Sequence, residues 1–148
     1  TPTAGAGQGK IYYVEGNVSL SGAGSTPVRT LSIIAEKCIT TTGNVQFVPA
    51  LTGTLFIAGG DIALGGTAGA SYVGLVAARE QVRTLGTFDL VGVLMAKNAE
   101  DRYRTVTSSA TVDSDFGGNM TITYDGGLAT VLENPSASVR LLNMRRMK

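Results

Sequence analysis

The chain has no histidine and no tryptophan, one cysteine (Cys38), four prolines and only 16% charged residues among its 148. Each shortage removes a class of chemistry. Without histidine, Ser–His and Cys–His nucleophilic pairs are impossible. A Ser–Lys pair finds no support either, because Lys10, Lys37, Lys97 and Lys148 all stand outside a Ser-x-x-Lys frame. Zinc would need histidine or several cysteines. A single thiol cannot form an internal disulfide and leaves the redox compartment open. No apolar run approaches the roughly 18 residues of a membrane span. A formal net charge of +1 gives no bulk attraction to nucleic acid or to an anionic membrane.

What the chain has is glycine, 20 residues of it, set among Thr, Val, Leu and Ala. That balance suits strands joined by tight corners. The glycines fall in a repeated frame of nine residues. It reads small apolar, three mostly polar, Val or Ile, one polar or small, Leu or Thr, one more, then Gly. The copies are VEGNVSLSG from Val14, AEKCITTTG from Ala35, AGGDIALGG from Ala58 and AREQVRTLG from Ala78. Their starts are 21, 23 and 20 residues apart, and each is preceded two residues earlier by Tyr12, Ile33, Phe56 or Val76. VGLVAA (Val73 to Ala78) is echoed 18 residues later by VGVLMA (Val91 to Ala96).

Repeats of about 20 residues made of short strands and Gly corners predict a β-solenoid of 4–5 rungs. Successive strand side chains point to opposite faces. Setting the copies in register therefore predicts four inward columns. They are Tyr12/Ile33/Phe56/Val76, Val14/Ala35/Ala58/Ala78, Val18/Ile39/Ile62/Val82 and Leu20/Thr41/Leu64/Thr84. The competing architecture is an antiparallel β-sandwich, which also uses short, regularly spaced strands.

The expected organisation is a flexible segment over 1–9, rungs over 10–96, and a loop excursion, final strand and cap over 97–148, all in one domain. The last part includes the charged run Lys97 to Arg104, the alternating strand Met120 to Tyr124 and an ambiguous end from Ser138. Thr1 is not an initiator methionine, so a processed or excised chain is expected.

Few residues suggest a site. Glu36, Asp61 and Glu80 fall near one corner of successive rungs and suggest an acidic stripe, the minimum for a carbohydrate-active β-helix. Lys37, Arg79 and Arg83 lie close enough in sequence to neutralise it. Corners are usually solvated, so a plain charged surface is the simpler expectation, and no catalytic residue is assigned. Asp113, Asp115 and Asn119 loosely follow a calcium loop. Gly117 stands where the next oxygen ligand belongs, however, and no Glu closes the loop. GAGQGK (Gly5 to Lys10) is not a phosphate loop, since Ala4 and Ile11 occupy its Gly and Ser/Thr positions. No cofactor is expected. Arg102, Tyr103, Arg104, Arg140, Arg145 and Arg146 gather in the last third and make a candidate surface for DNA or another polyanion. Cys38 occupies a corner position, where an exposed thiol would be able to cross-link subunits.

The rungs IYYVEGNVSLSG, LSIIAEKCITTTGNV, LFIAGGDIALGG, YVGLVAAREQV and FDLVGVLMAKN resemble the β-solenoid region of PilX-type pilus-assembly proteins of bacterial type IV pilus systems. The resemblance extends into GNMTITYDGGLATVLENP and covers about Lys10 to Pro135. It implies a non-enzymatic structural module at the cell surface. Its partners would be other pilin or filament subunits or copies of itself, and DNA or surface polysaccharide as a ligand. Such modules are carried by an N-terminal pilin helix, which these 148 residues do not contain.

Overall fold

A computed structural model describes residues 9–22, 27–98, 114–128 and 146–147. In chain order the strands are β1 (Lys10–Val14), β2 (Val18–Gly22), β3 (Arg29–Ala35), β4 (Ile39–Gly43), β5 (Gln46–Val48), β6 (Thr54–Ala58), β7 (Ile62–Ala78), β8 (Val82–Ala96), β9 (Asp115–Phe116), β10 (Asn119–Tyr124) and β11 (Arg146–Met147). Every pairing between these strands is parallel. An antiparallel sandwich is thereby excluded, and the architecture is a parallel β-solenoid.

The turns stack in the register that the repeats predict. Val14 pairs with Ala35, Ala35 with Ala58, Ala58 with Ala78 and Ala78 with Ala96, so four turns separate Val14 from Ala96. Tyr12, Ile33, Phe56 and Val76 stand in a column that ends on Leu94. Val18/Ile39/Ile62/Val82 and Leu20/Thr41/Leu64/Thr84 form the two columns of the opposite face. Ile39, Ile62, Leu64, Val76, Val82 and Phe56 are fully buried, and each such side chain stabilises by roughly 1.5–3 kcal/mol. No single turn could bury its own apolar face. The stack does it by covering each turn with the next.

Parallel stacking continues beyond Ala96. After 99–113, which lie outside the described residues, β9 pairs with Arg83–Thr84 and β10 pairs with β8 from Asn119↔Thr87 to Tyr124↔Gly92. Phe116 thus stands on Thr84, and Met120 and Ile122 stand on Phe88 and Leu90. The coil expected to stop at Ala96 gains a further partial turn. The intervening residues conceal it by breaking the 20-residue spacing. At the other end, β11 pairs with Tyr13 and Val14 of β1.

Gly43, Gly86 and Gly118 close the second corner with φ of 78°, 86° and 92°. A Cβ at any of them would run into the carbonyl oxygen of the glycine beneath, Gly22, Gly66 or Gly86 respectively. Close approach requires glycine at all four ninth positions of the frame, Gly22, Gly43, Gly66 and Gly86, and a positive φ adds to it at Gly43 and Gly86.

Candidate functional site

The first corner of each turn carries the polar residues that suggest a site. Its backbone ladder does not lapse at the bend. The amides of Lys37, Gly60, Glu80 and Asn98 donate in succession to the carbonyls of Gly16, Lys37, Gly60 and Glu80, at 3.4, 2.9, 3.3 and 3.0 Å. The next corner residue uses its side chain instead. Asn17 Oδ1 accepts the Cys38 amide at 3.2 Å, Cys38 Sγ accepts the Asp61 amide at 3.4 Å, and Asp61 Oδ1 accepts the Gln81 amide at 3.0 Å. One turn further, Ser114 Oγ accepts the Val82 amide at 3.1 Å and donates to Asn98 Oδ1 at 3.0 Å. The result is a file of side-chain caps running up the coil, each residue satisfying an amide of the neighbouring turn.

That file corrects the acidic stripe. Asp61 and Glu80 are 1% exposed, whereas Glu36 lies at the surface and accepts a 2.6 Å hydrogen bond from the Tyr13 hydroxyl. The three carboxylates do not share a column. In the stacked frame Glu36 aligns with Gly59 and Arg79, Asp61 with Cys38 and Gln81, and Glu80 with Lys37 and Gly60. The reason is geometric: the corner is a bend of three residues, and the Glu80 and Asp61 carboxylates stand at its second and third positions, which the neighbouring turns bury there, while Glu36 stands at the first. Cys38, expected at an exposed corner, is 1% exposed and serves as an acceptor in the file.

The remaining candidates are not assembled by the described residues. The exposed Asp115 carboxylate lies 3.8 Å from the half-buried Arg83, a long contact with no cluster of acidic groups around it among the described residues to form a site. Asn119 begins β10, and Asp113 lies outside the described residues. No group of three or more Cys, Asp or Glu side chains among the described residues is placed to hold a metal ion. Arg102, Tyr103, Arg104, Arg140 and Arg145 also lie outside them, and Arg146 pairs with Tyr13 in the backbone ladder at the first turn. No helix among the described residues is long and apolar enough to cross a membrane.

One polar constellation was not anticipated from the sequence. Tyr72 is fully buried among Phe47, Phe56 and Phe88, with ring centroids 6.1, 6.4 and 5.3 Å away. Its hydroxyl donates to the Gly65 carbonyl at 2.7 Å and lies 2.6 Å from Thr41 Oγ1, which itself accepts the Gly65 amide at 3.1 Å. Burial pushes the Tyr72 phenol up to about 12, against a smaller opposing pull from the Thr41 hydroxyl. With Tyr72 and Thr41 buried and both hydroxyls engaged, this cluster fastens the two faces of the coil together. Ser32 does comparable work elsewhere: buried, it donates to the Thr54 carbonyl at 2.5 Å and accepts the amides of Ala50 and Leu51 at 3.0 and 2.8 Å.

Fold and corner chemistry together define a parallel β-solenoid whose inward polar groups are committed to holding successive turns. No family profile, curated protein or solved structure matches the chain.

Proposed function

We propose that this chain is a non-enzymatic structural module, the solenoid head or a subunit of a type IV pilus-like filament presented at the bacterial cell surface. The observation that carries the reading is the use made of the corner residues. Asp61, expected in an acidic corner stripe, and Cys38, expected as an exposed corner thiol, are buried and cap backbone amides of the next turn. A chain that directs its reactive groups into its own ladder is built for shape and rigidity. The likeness of the rungs to PilX-type proteins supplies the filament context, with other pilin subunits or further copies of this chain as partners.

The test is fractionation of the native bacterium producing an epitope-tagged form of the protein. The tag is expected in the sheared surface-filament fraction together with pilin subunits. Recovery of all the protein in the cytoplasmic fraction would overturn the reading.

A further inference from the structure

We propose that β10 is the contact through which two copies of this chain join, their β10 strands antiparallel about a two-fold axis at Ile122. This goes beyond the scaffold reading by naming a partner for one end of the coil, and it does not depend on the filament being a pilus.

The strand order of the sheet ends on β10, whose outer edge meets nothing among the described residues, while β11 covers part of the edge at the other end. Open edges are normally blunted by charge, proline or a bulge. From Asn119 to Tyr124 the sequence NMTITY has none of these. Nothing among the described residues covers the apolar side chains here: Phe116, Ile122 and Tyr124 are 53%, 43% and 71% exposed, although the residues beneath the first two, Thr84 and Leu90, are fully buried. An uncharged edge above an exposed apolar end is a surface for strand addition.

The strand is complementary to itself. Opposed residues of an antiparallel pair project to the same face of a sheet. Centred on Ile122, the pairing sets Ile122 against Ile122 and Met120 against Tyr124 on the core side, and Thr121 against Thr123 on the outer side. Asn119 falls opposite Asp125, so no acid meets an acid. Moving the register by one residue would set threonine against isoleucine. Head-to-tail stacking does not use this edge. β10 continues the positions Thr87–Gly92, whereas β1 opens the column that passes through Ile33, Phe56 and Val76 to Leu94. The two edges are therefore offset along the strand direction. A closed, isologous pair is also the commonest oligomer symmetry.

Sedimentation equilibrium of the full chain over about 10–500 µM, a range suited to a small interface, is the first measurement. A monomer–dimer equilibrium is expected. Ile122→Lys sets like charges face to face and should raise the dissociation constant at least about tenfold, with an unchanged circular dichroism spectrum. Cysteine substitution reads the register directly. Residue 122 faces its own copy at a Cα separation of about 4.5–5.5 Å, within disulfide reach. Ile122→Cys should therefore cross-link on mild oxidation. Asn119→Cys should not, since its two copies would lie about 20 Å apart. The buried Cys38 does not compete. A wild-type monomer throughout the range, whatever else covers the end, overturns the proposal. So does a dimer that is indifferent to Ile122→Lys and shows equal cross-linking at both positions.

Discussion

Replacing Tyr72 by Phe tests the reading of the coil interior more stringently than any other single change. The ring would keep its contacts with Phe47, Phe56 and Phe88, so packing is conserved. What disappears is the hydroxyl, with its 2.7 Å bond to the Gly65 carbonyl and its 2.6 Å contact with Thr41. Losing a buried hydrogen bond of this kind costs about 1–2 kcal/mol near neutral pH. The same hydroxyl also carries a pH dependence. Its ordinary value of 10.0 rises to about 12 in the fold, because burial disfavours the phenolate. A group raised in the folded state contributes its full stabilisation below the unfolded value and loses it as pH climbs to the folded one. From this phenol alone the wild type should lose about 1 kcal/mol by pH 11 and about 2 kcal/mol by pH 12. Tyr72→Phe has no such proton to release. The other tyrosines titrate in both proteins and cancel in the difference. The stability curves of wild type and variant, from urea unfolding at pH 8 to 12, should therefore converge and cross near pH 11. A gap that stays constant from pH 9 to 12 would refute the reasoning, for it would mean that the phenol ionises as readily in the fold as in the open chain.

Four further substitutions address the corners. Gly86→Ala forces a side chain onto a residue at φ 86° and against the Gly66 carbonyl, and thermal unfolding should show a loss of about 2 kcal/mol or more. Gly16→Ala, with open space where its Cβ would stand, should change stability by less than about 0.5 kcal/mol under the same assay. At the buried corner, Asp61→Leu strands the Gln81 amide and should cost about 1–3 kcal/mol, whereas Asp61→Asn keeps an acceptor there and should retain most of the stability in denaturant titration. Equal losses in the two variants would show that the carboxyl group's charge, rather than its acceptor oxygen, is what matters.

The stacking was legible because the inward columns repeat in kind as well as in spacing. Val18, Ile39, Ile62 and Val82 are β-branched residues at one position of a recurring frame, and the ladder pairs them one above another. The corners were not legible for a complementary reason. Asp61 reads as a solvated acid to any local rule, since its acceptor role depends on an amide 20 residues away. Cys38 misleads in the same way, its partner lying 23 residues on. Phe47, Tyr72 and Phe88 fall in the links between copies, where insertions such as Thr67 to Gly69 shift the register, so no fixed interval joins them. Met120 to Tyr124 was legible as a strand, but β9 and the stacking of β10 on β8 were hidden by distance: Ser114 caps Val82 across 32 residues, well outside the period of the preceding turns.

The file of corner caps gives the coil a property that its columns alone would not. Each cap reaches one turn and no further: Asn17 to Cys38, Cys38 to Asp61, Asp61 to Gln81. The energetics are consequently one-dimensional, a sum over turns and the junctions between neighbours. Damage at one turn weakens its two junctions and leaves the others intact. Loss of order should begin at the terminal turns, where Tyr12, Val18 and Leu20 are only half-buried, and travel inward toward Ile39 and Ile62. A protein of this kind can be lengthened or shortened by whole turns at constant stability per turn, so its reach is set by how many times the frame is copied.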